Sequence, residues 1–411
     1  MSGADSTEAS SSARGRLLSV LKLVLAAAIL AWVGTQLPWR DQLTYTVDEK
    51  LVLSVEGEIL GDWKEDQVAF QLDAELQPDA DWPPALRAAL EAEGVFRGER
   101  VESEDPKAPR WDWKPSLPRA FKDVESKYLV RAMGAFLVAL VCANTRWWRL
   151  LALAGCFATF FNTLRLTFIG LFFNLVVPGL TGGDLVKGVV VARENPGKRA
   201  DAFVSVVVDR IIGLLSLVGL AAVVILIRGG ELAVLRPGVL GCLAVGVGGA
   251  LVYVSPQVRR LVRYETLLKK LPFSDKLQQL DAAAVLYAKH PLQVAIAILL
   301  SLANHAFAIL GCVFLGHAFG AGLSLLDYYV VVPVANILSA LPLAPGGWGL
   351  GEAIYKYLFN LAEEGSGTLG VAVSVTFRLA QLALGLVGGL FLLLPGARVD
   401  LSEVEREAAQ A

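Results

Sequence analysis

Two arginines, Arg210 and Arg378, stand inside long apolar runs, where a guanidinium is costly and normally faces a partner or a water-filled path. An acidic residue precedes each at the same interval: Asp184 lies 26 positions before Arg210, and Glu352 lies 26 before Arg378. Lys187 follows Asp184 by three positions and Lys356 follows Glu352 by four, spacings that let acid and amine pair along one helix face. Asp209 is the chain neighbour of Arg210 and so cannot share its face. Arg210, Arg378, Asp184, Lys187, Glu352 and Asp209 are therefore the candidate substrate-binding groups, suited to holding a charged headgroup; no catalytic residue is assigned.

Each acid follows a turn rich in glycine and proline, the first through Pro178, Gly179, Gly182 and Gly183, the second through Pro345, Gly346, Gly347 and Gly349. A helix that begins at such a turn presents unpaired N–H groups and the positive end of its dipole, which suit a phosphate. Asp184 and Glu352 sit near those same N-termini and would repel an anion, so they either cap the half-helices or hold a cation. Asn162, Asn174, Asn304, His305 and His317 are further polar groups in apolar surroundings, read as interhelical hydrogen-bond contacts.

The elements that position these groups must be membrane helices. The chain of 411 residues is 55% hydrophobic and only 18% charged, with a mean hydropathy of +0.54, a composition that excludes an ordinary soluble domain. Its apolar residues cluster in Leu17–Leu37, Ala202–Ile227, Val234–Val254, Pro291–Phe319 and Thr368–Leu394, each near the roughly 20 residues a spanning helix needs. The four cysteines all lie in apolar segments and read as packed thiols, with neither a disulfide framework nor a metal site.

Charge orients the spans. Between Trp39 and Lys127 there are 12 Lys and Arg against 21 Asp and Glu, and the remainder of the chain is net basic. With basic loops inside, Leu17–Leu37 crosses outward and this acidic stretch lies outside. Within it, Lys50–Leu60 and Gln67–Leu76 alternate as strands about Gly61, Pro83 and Pro84 open a short helix through Glu93, and the prolines from Pro106 to Pro118 read as an extended return to the membrane. Its tryptophans read as core or interface anchors. Leu129–Ala143 then crosses inward and ends at an interfacial belt, Arg146 to Arg149.

A single crossing by Leu150–Val177 would put Arg259–Lys289 outside, against the charge rule. A re-entrant hairpin resolves this: Phe168–Val177 enters, turns at the first glycine-rich segment, and Asp184–Ala192 leaves on the same side. Asp327–Leu341 and Gly351–Ala362 form a second hairpin that enters from outside. Non-helical backbone at that depth needs protein cover or a wet cavity, and paired broken helices of opposite orientation are the architecture of many secondary transporters. The basic stretch Arg259–Lys289 fixes the topology or meets anionic headgroups at the inner leaflet.

The runs Asn144–Leu151, Phe172–Gly179, Gly182–Lys187, Val208–Arg210 and Leu341–Glu352, with Arg378, resemble the lysylphosphatidylglycerol synthase transmembrane-region, or flippase-like, family. The resemblance covers about Ser126 to Leu394 together with the first helix, and implies a protein that handles modified phospholipids or lipid-linked intermediates. The aminoacyl-transferase domain of full-length synthases has no counterpart here, so lipid synthesis is not expected.

The fold class expected is an all-α polytopic membrane protein with two re-entrant hairpins in an inverted repeat and a small α+β extracytoplasmic insertion. Its divisions are a disordered cytoplasmic tail at 1–16, the first transmembrane helix at 17–37, the acidic domain at 38–127, the flippase-like domain at 128–395 and a cytoplasmic tail at 396–411. Transport of a phospholipid or polyprenyl-phosphate lipid is the leading expectation, with anionic lipids as partners, no cofactor, no metal and no nucleic acid; without a Walker A motif no nucleotide drives it. The alternatives are an intramembrane transferase, for which Asp184, Asp209, Glu352 and the histidines are the available bases, and a platform whose acidic domain binds an external partner.

Overall fold

The computed structural model describes residues 35, 39–47, 50–65, 67–72, 82–84, 86–88, 95–99, 110–176, 182–264, 266, 274–339, 349–363 and 366–392. The expected first helix apart from Thr35, the turn residues Pro178, Gly179, Pro345, Gly346 and Gly347, and both tails lie outside the described residues. Strands β1 (Asp41–Val47), β2 (Lys50–Leu60), β3 (Gln67–Leu72), β4 (Val95–Glu99) and β5 (Arg110–Lys114) come first. Helices α1 (Leu117–Lys122), α2 (Ser126–Leu153), α3 (Phe160–Val176), α4 (Gly182–Glu194), α5 (Arg199–Ile227) and α6 (Arg236–Val254) follow. After them come α7 (Pro256–Leu261), α8 (Ser274–Ala288), α9 (Pro291–Phe319), α10 (Leu325–Ser339), α11 (Leu350–Ala362) and α12 (Gly367–Leu392).

The strands form one antiparallel sheet in the order β4-β3-β2-β1-β5. Alternation decides which face is covered: Val55, Gly57 and Ile59 of β2 are buried while Glu56, Glu58 and Leu60 face out, as a period of two requires. Trp63 and Trp113 belong to the core of this sheet, and the Trp113 indole donates to the Trp63 carbonyl at 2.8 Å. The expected helix after Pro83 is seen at residues 84 and 86–88. The expectation that the chain stays extended through Pro118 is corrected: Ser116 caps α1, with the Arg119 N–H 3.4 Å from its hydroxyl, and Pro118 falls in the first turn, where its missing N–H costs nothing.

Among the described residues, five helices are long and apolar enough to span a bilayer: Ser126–Leu153, Arg199–Ile227, Glu231–Val252, Pro291–Phe319 and Gly367–Leu392. The chain is thus a multi-pass membrane protein. Helix α2 corrects the expected end at Ala143, because it continues two further turns past Asn144 to Leu153. It packs along its length against α9, while α5 touches α2, α4, α6, α8, α9 and α10.

Shorter helices pack as two antiparallel pairs. In the first, Asn174 of α3 accepts from Gly183 N of α4 at 2.8 Å, and Asn162 at the far end of α3 donates to Glu194 at 2.8 Å. In the second, Tyr328 of α10 meets Phe359 of α11 with ring centroids 5.7 Å apart, and Ser339 lies beside Gly351. The open ends of these pairs lie at opposite ends of α5. Lys198, just before α5, donates to Ala154 between α2 and α3, whereas Arg228, just after it, pairs with Asp327 of α10 at 2.6 Å.

The sheet sits at the Arg228 end. Buried Asp41 accepts from Ser116 N at 2.6 Å, Ile59 N at 2.9 Å and Arg119 Nε at 2.7 Å, which clasps α1 to the sheet. Phe121 of α1 then meets Phe319, the last residue of α9, at 5.2 Å. Gly320 closes α9 with φ 76°, and a Cβ there would lie 3.1 Å from the Trp63 ring. Arg193, Lys198, Arg199, Arg259, Arg260, Arg263 and Lys289 gather toward the opposite, basic end.

Candidate functional site

Backbone contact builds the first half of the site. A Cβ on Gly183 would lie 1.9 Å from the Gly170 carbonyl oxygen, so α3 and α4 cross with no side chain between them. That crossing leaves Asp184, the third residue of α4, turned toward α5. There its carboxylate forms an ion pair with Arg210 Nε, and Lys187 Nζ lies 3.6 Å from its other oxygen. Lys187 also stands over the Trp147 ring, 5.3 Å from the centroid, a favourable place for an ammonium.

Asp209 turns the other way. It takes both ends of the Arg146 guanidinium, Nε at 2.6 Å and Nη2 at 2.9 Å, and Arg146 Nη1 donates to Ser301 Oγ at 2.7 Å. This is the two-pronged geometry that fixes a guanidinium most firmly. Gly213 leaves room for it, since a Cβ there would be 3.3 Å from both terminal nitrogens, and its carbonyl meets His305 Nε2 at 2.9 Å. Arg146 was expected in an interfacial belt; it is buried in the bundle. The run Arg146 to Arg149 resembles a helix end by composition, and the signal that contradicts it is Asp209, an acid in an apolar span that needs its own cation. Ser301 carried no sequence signal.

A second acid–arginine pair has similar geometry and different access. Glu352 is the third residue of α11, as Asp184 is of α4. Its Oε1 accepts from Arg378 Nε at 2.6 Å and Ser374 Oγ at 3.2 Å, and its Oε2 accepts from Gly349 N at 2.5 Å. The interval of 26 residues is therefore an acid–arginine bridge in both halves, and each arginine stands eleven residues past the start of its long helix, about 16 Å along it at 1.5 Å per residue. Gly351 again admits no Cβ, which would fall 1.8 Å from Arg378 Nη2. Glu352 was considered as a helix-face partner of Lys356; its carboxylate instead bridges to α12 and caps its own helix.

Access separates the halves. The Arg378 side chain is 11% exposed and that of Arg210 is 57% exposed. Val207 and Leu214, one turn either side of Arg210 on α5, and its chain neighbour Ile211 are exposed as well. Around Arg210 three cations, Arg146, Lys187 and Arg210, face two carboxylates, Asp184 and Asp209, leaving one positive charge in excess. Asn162, Asn174 and His305 make contacts between helices as expected, Asn304 lies 3.5 Å from the His305 ring, and His317 packs on Tyr128. Among the described residues no three of His, Cys, Asp and Glu gather as metal ligands.

The family described as lysylphosphatidylglycerol synthase TM region matches residues 112–389, a segment that begins in β5 and takes in both acid–arginine bridges. A UPF0104 membrane protein of Pyrococcus horikoshii is 22% identical over 313 aligned residues, covering 68% of this chain and 92% of the relative. No solved structure matches the chain. The match over more than half of its residues means that the chain belongs to the lysylphosphatidylglycerol synthase transmembrane-region family.

Proposed function

We propose that this protein moves a lipid with an anionic headgroup between the leaflets of the cytoplasmic membrane, holding the headgroup at Arg210 and Lys187. The observation that carries this reading is the Arg210 side chain, more than half exposed, about two fifths of the way along a spanning helix and flanked by the exposed apolar residues Val207, Ile211 and Leu214. A charge at that depth next to an open apolar face suits an amphiphile, whose phosphate displaces Asp184 while its acyl chains stay along α5. A soluble anion would have no use for the apolar stripe.

Two further observations support it. The two short-helix pairs open toward opposite ends of α5, the arrangement expected of re-entrant hairpins in an inverted repeat with one site between two gates. The basic end is then cytoplasmic and the sheet lies outside. Rocking of one half against the other supplies alternate access, driven by an ion gradient or by downhill movement of the lipid.

The test is movement of fluorescent phosphatidylglycerol between leaflets in proteoliposomes. Arg210→Ala is expected to slow it about tenfold, the loss of one charge-assisted contact. Equal rates for wild type and Arg210→Ala at equal reconstitution would remove the site and with it this reading.

A further inference from the structure

The sheet carries a cleft of about 330 Å³ between β1, β2 and the start of α1, lined by Trp39, Arg40, Asp41, Glu58, Arg119 and Lys122 among others. We propose that this cleft binds the phosphate of a lipid headgroup in the leaflet nearest the sheet. The site is separate from Arg210 and does not depend on transport; Trp39, Arg40, Asp41 and Glu58 precede the residues matched by the family, whereas Arg119 and Lys122 fall within them.

Position is the first argument. Trp39 follows the apolar run Leu17–Leu37 by two residues, and Lys122 precedes the first residue of α2 by four. Phe121, next to Lys122, packs on Phe319 at the very end of α9. The cleft therefore opens at the level where the spans end, which is the level of lipid phosphates. Trp39 is 60% exposed there, and tryptophan is the side chain that favours this boundary because its ring tolerates acyl chains while its N–H meets headgroups.

Charge is the second. The stretch Trp39–Lys127 is strongly acidic, yet three of its cations converge on this one cleft. Of the two acids present, Asp41 is buried and saturated by Ser116 N, Ile59 N and Arg119 Nε, so its charge is spent inside the sheet. That same clasp holds Arg119 in place, with Nη2 donating to the Ile59 carbonyl at 2.6 Å. Glu58 is exposed and stands 3.8 Å from Arg119, where an arriving phosphate displaces it. Arg40 and Lys122, both exposed, add two positive charges at the rim. The volume admits a phosphate with its glycerol or amine substituent and leaves the acyl chains outside, beside Trp39.

The test uses the full-length chain carrying Arg210→Ala, which silences the mid-span site, in phosphatidylcholine nanodiscs. Calorimetric titration with dihexanoyl-phosphatidylglycerol is expected to show saturable binding that weakens about fivefold for Arg40→Gln and again for Lys122→Gln, with Arg40→Lys retaining most of it. Trp39→Ala weakens the lipid but leaves the already weaker binding of glycerol 3-phosphate unchanged. Unaltered lipid binding in the Arg40→Gln, Lys122→Gln variant, with an unchanged melting temperature as control, would overturn the proposal. Glycerol 3-phosphate binding as tightly as the lipid would overturn the lipid as its source. Because the readout is binding at the cleft, a negative scrambling result for Arg210 leaves it standing.

Discussion

The bridges Asp184–Arg210 and Glu352–Arg378 share an interval, a helix position and a preceding glycine with no room for a Cβ, yet they stand in opposite surroundings. Glu352 is enclosed and spends both oxygens on Arg378, Ser374 and the Gly349 N–H. Asp184 holds an arginine that keeps most of its side chain accessible, and a lysine besides. One spacing of acid and arginine thus occurs in two settings: saturated hydrogen bonding encloses one pair, and the other keeps a largely exposed arginine.

Substitution of the enclosed arginine is the harshest way to test that contrast. Arg378→Ala strands a buried carboxylate and is expected to destabilise by about 4 kcal/mol, read as a large fall in melting temperature in detergent; Arg210→Ala, whose partner can reach Lys187, loses far less. Should the two variants melt alike, the contrast fails. Next in size is Arg146→Ala, which strands Asp209 at a cost of about 3 kcal/mol; pairing it with Asp209→Asn is expected to return most of that loss in a double-mutant cycle.

The two glycines sharpen the comparison further. Gly183→Ala drives a methyl into the Gly170 backbone, which cannot yield, and is expected to cost about 2 kcal/mol. Gly351→Ala meets the tip of the Arg378 side chain, which can shift, so it costs less in the same unfolding measurement.

Smallest of all is a pair at the very edge of a span, Glu125 just before α2 and Lys127 in its first turn. Lys127, 2.7 Å from Glu125, holds that carboxyl below its ordinary range, chiefly by hydrogen bonding. A lowered carboxyl stabilises above its unfolded value, and the contribution disappears as pH falls through the lowered one. Lys127→Gln is therefore expected to melt marginally lower at neutral pH and identically to wild type in acid.

The sequence made the spans legible wherever apolar length was unbroken, and Pro291–Phe319 begins and ends where its run does. It also made legible the acid–arginine interval, because a charge in an apolar run is conspicuous and a repeated spacing needs no tertiary knowledge. Strand β2 was read from its alternation, but β1, β4 and β5 were not, since short strands take their identity from neighbours such as Trp113 pairing with Leu43. The setting of Arg146 is hidden in the sequence for a related reason. Charge marks a membrane boundary only where it is solvated, and a cation whose acid lies 63 residues away defeats that rule.

The first helix pair has a mechanical consequence. Beside the start of α4 the α3 and α4 backbones touch at Gly170 and Gly183, and at the other end Asn195 accepts from Phe157 N at 2.6 Å and donates to Phe157 O at 3.2 Å. A helix pair held at both extremities cannot scissor. It can only tilt or slide as one piece, and the surface it would slide on is α12, where Gly388 lets the Phe168 backbone press directly against the helix. A bulky residue at position 388 would jam that bearing without touching a single charged group.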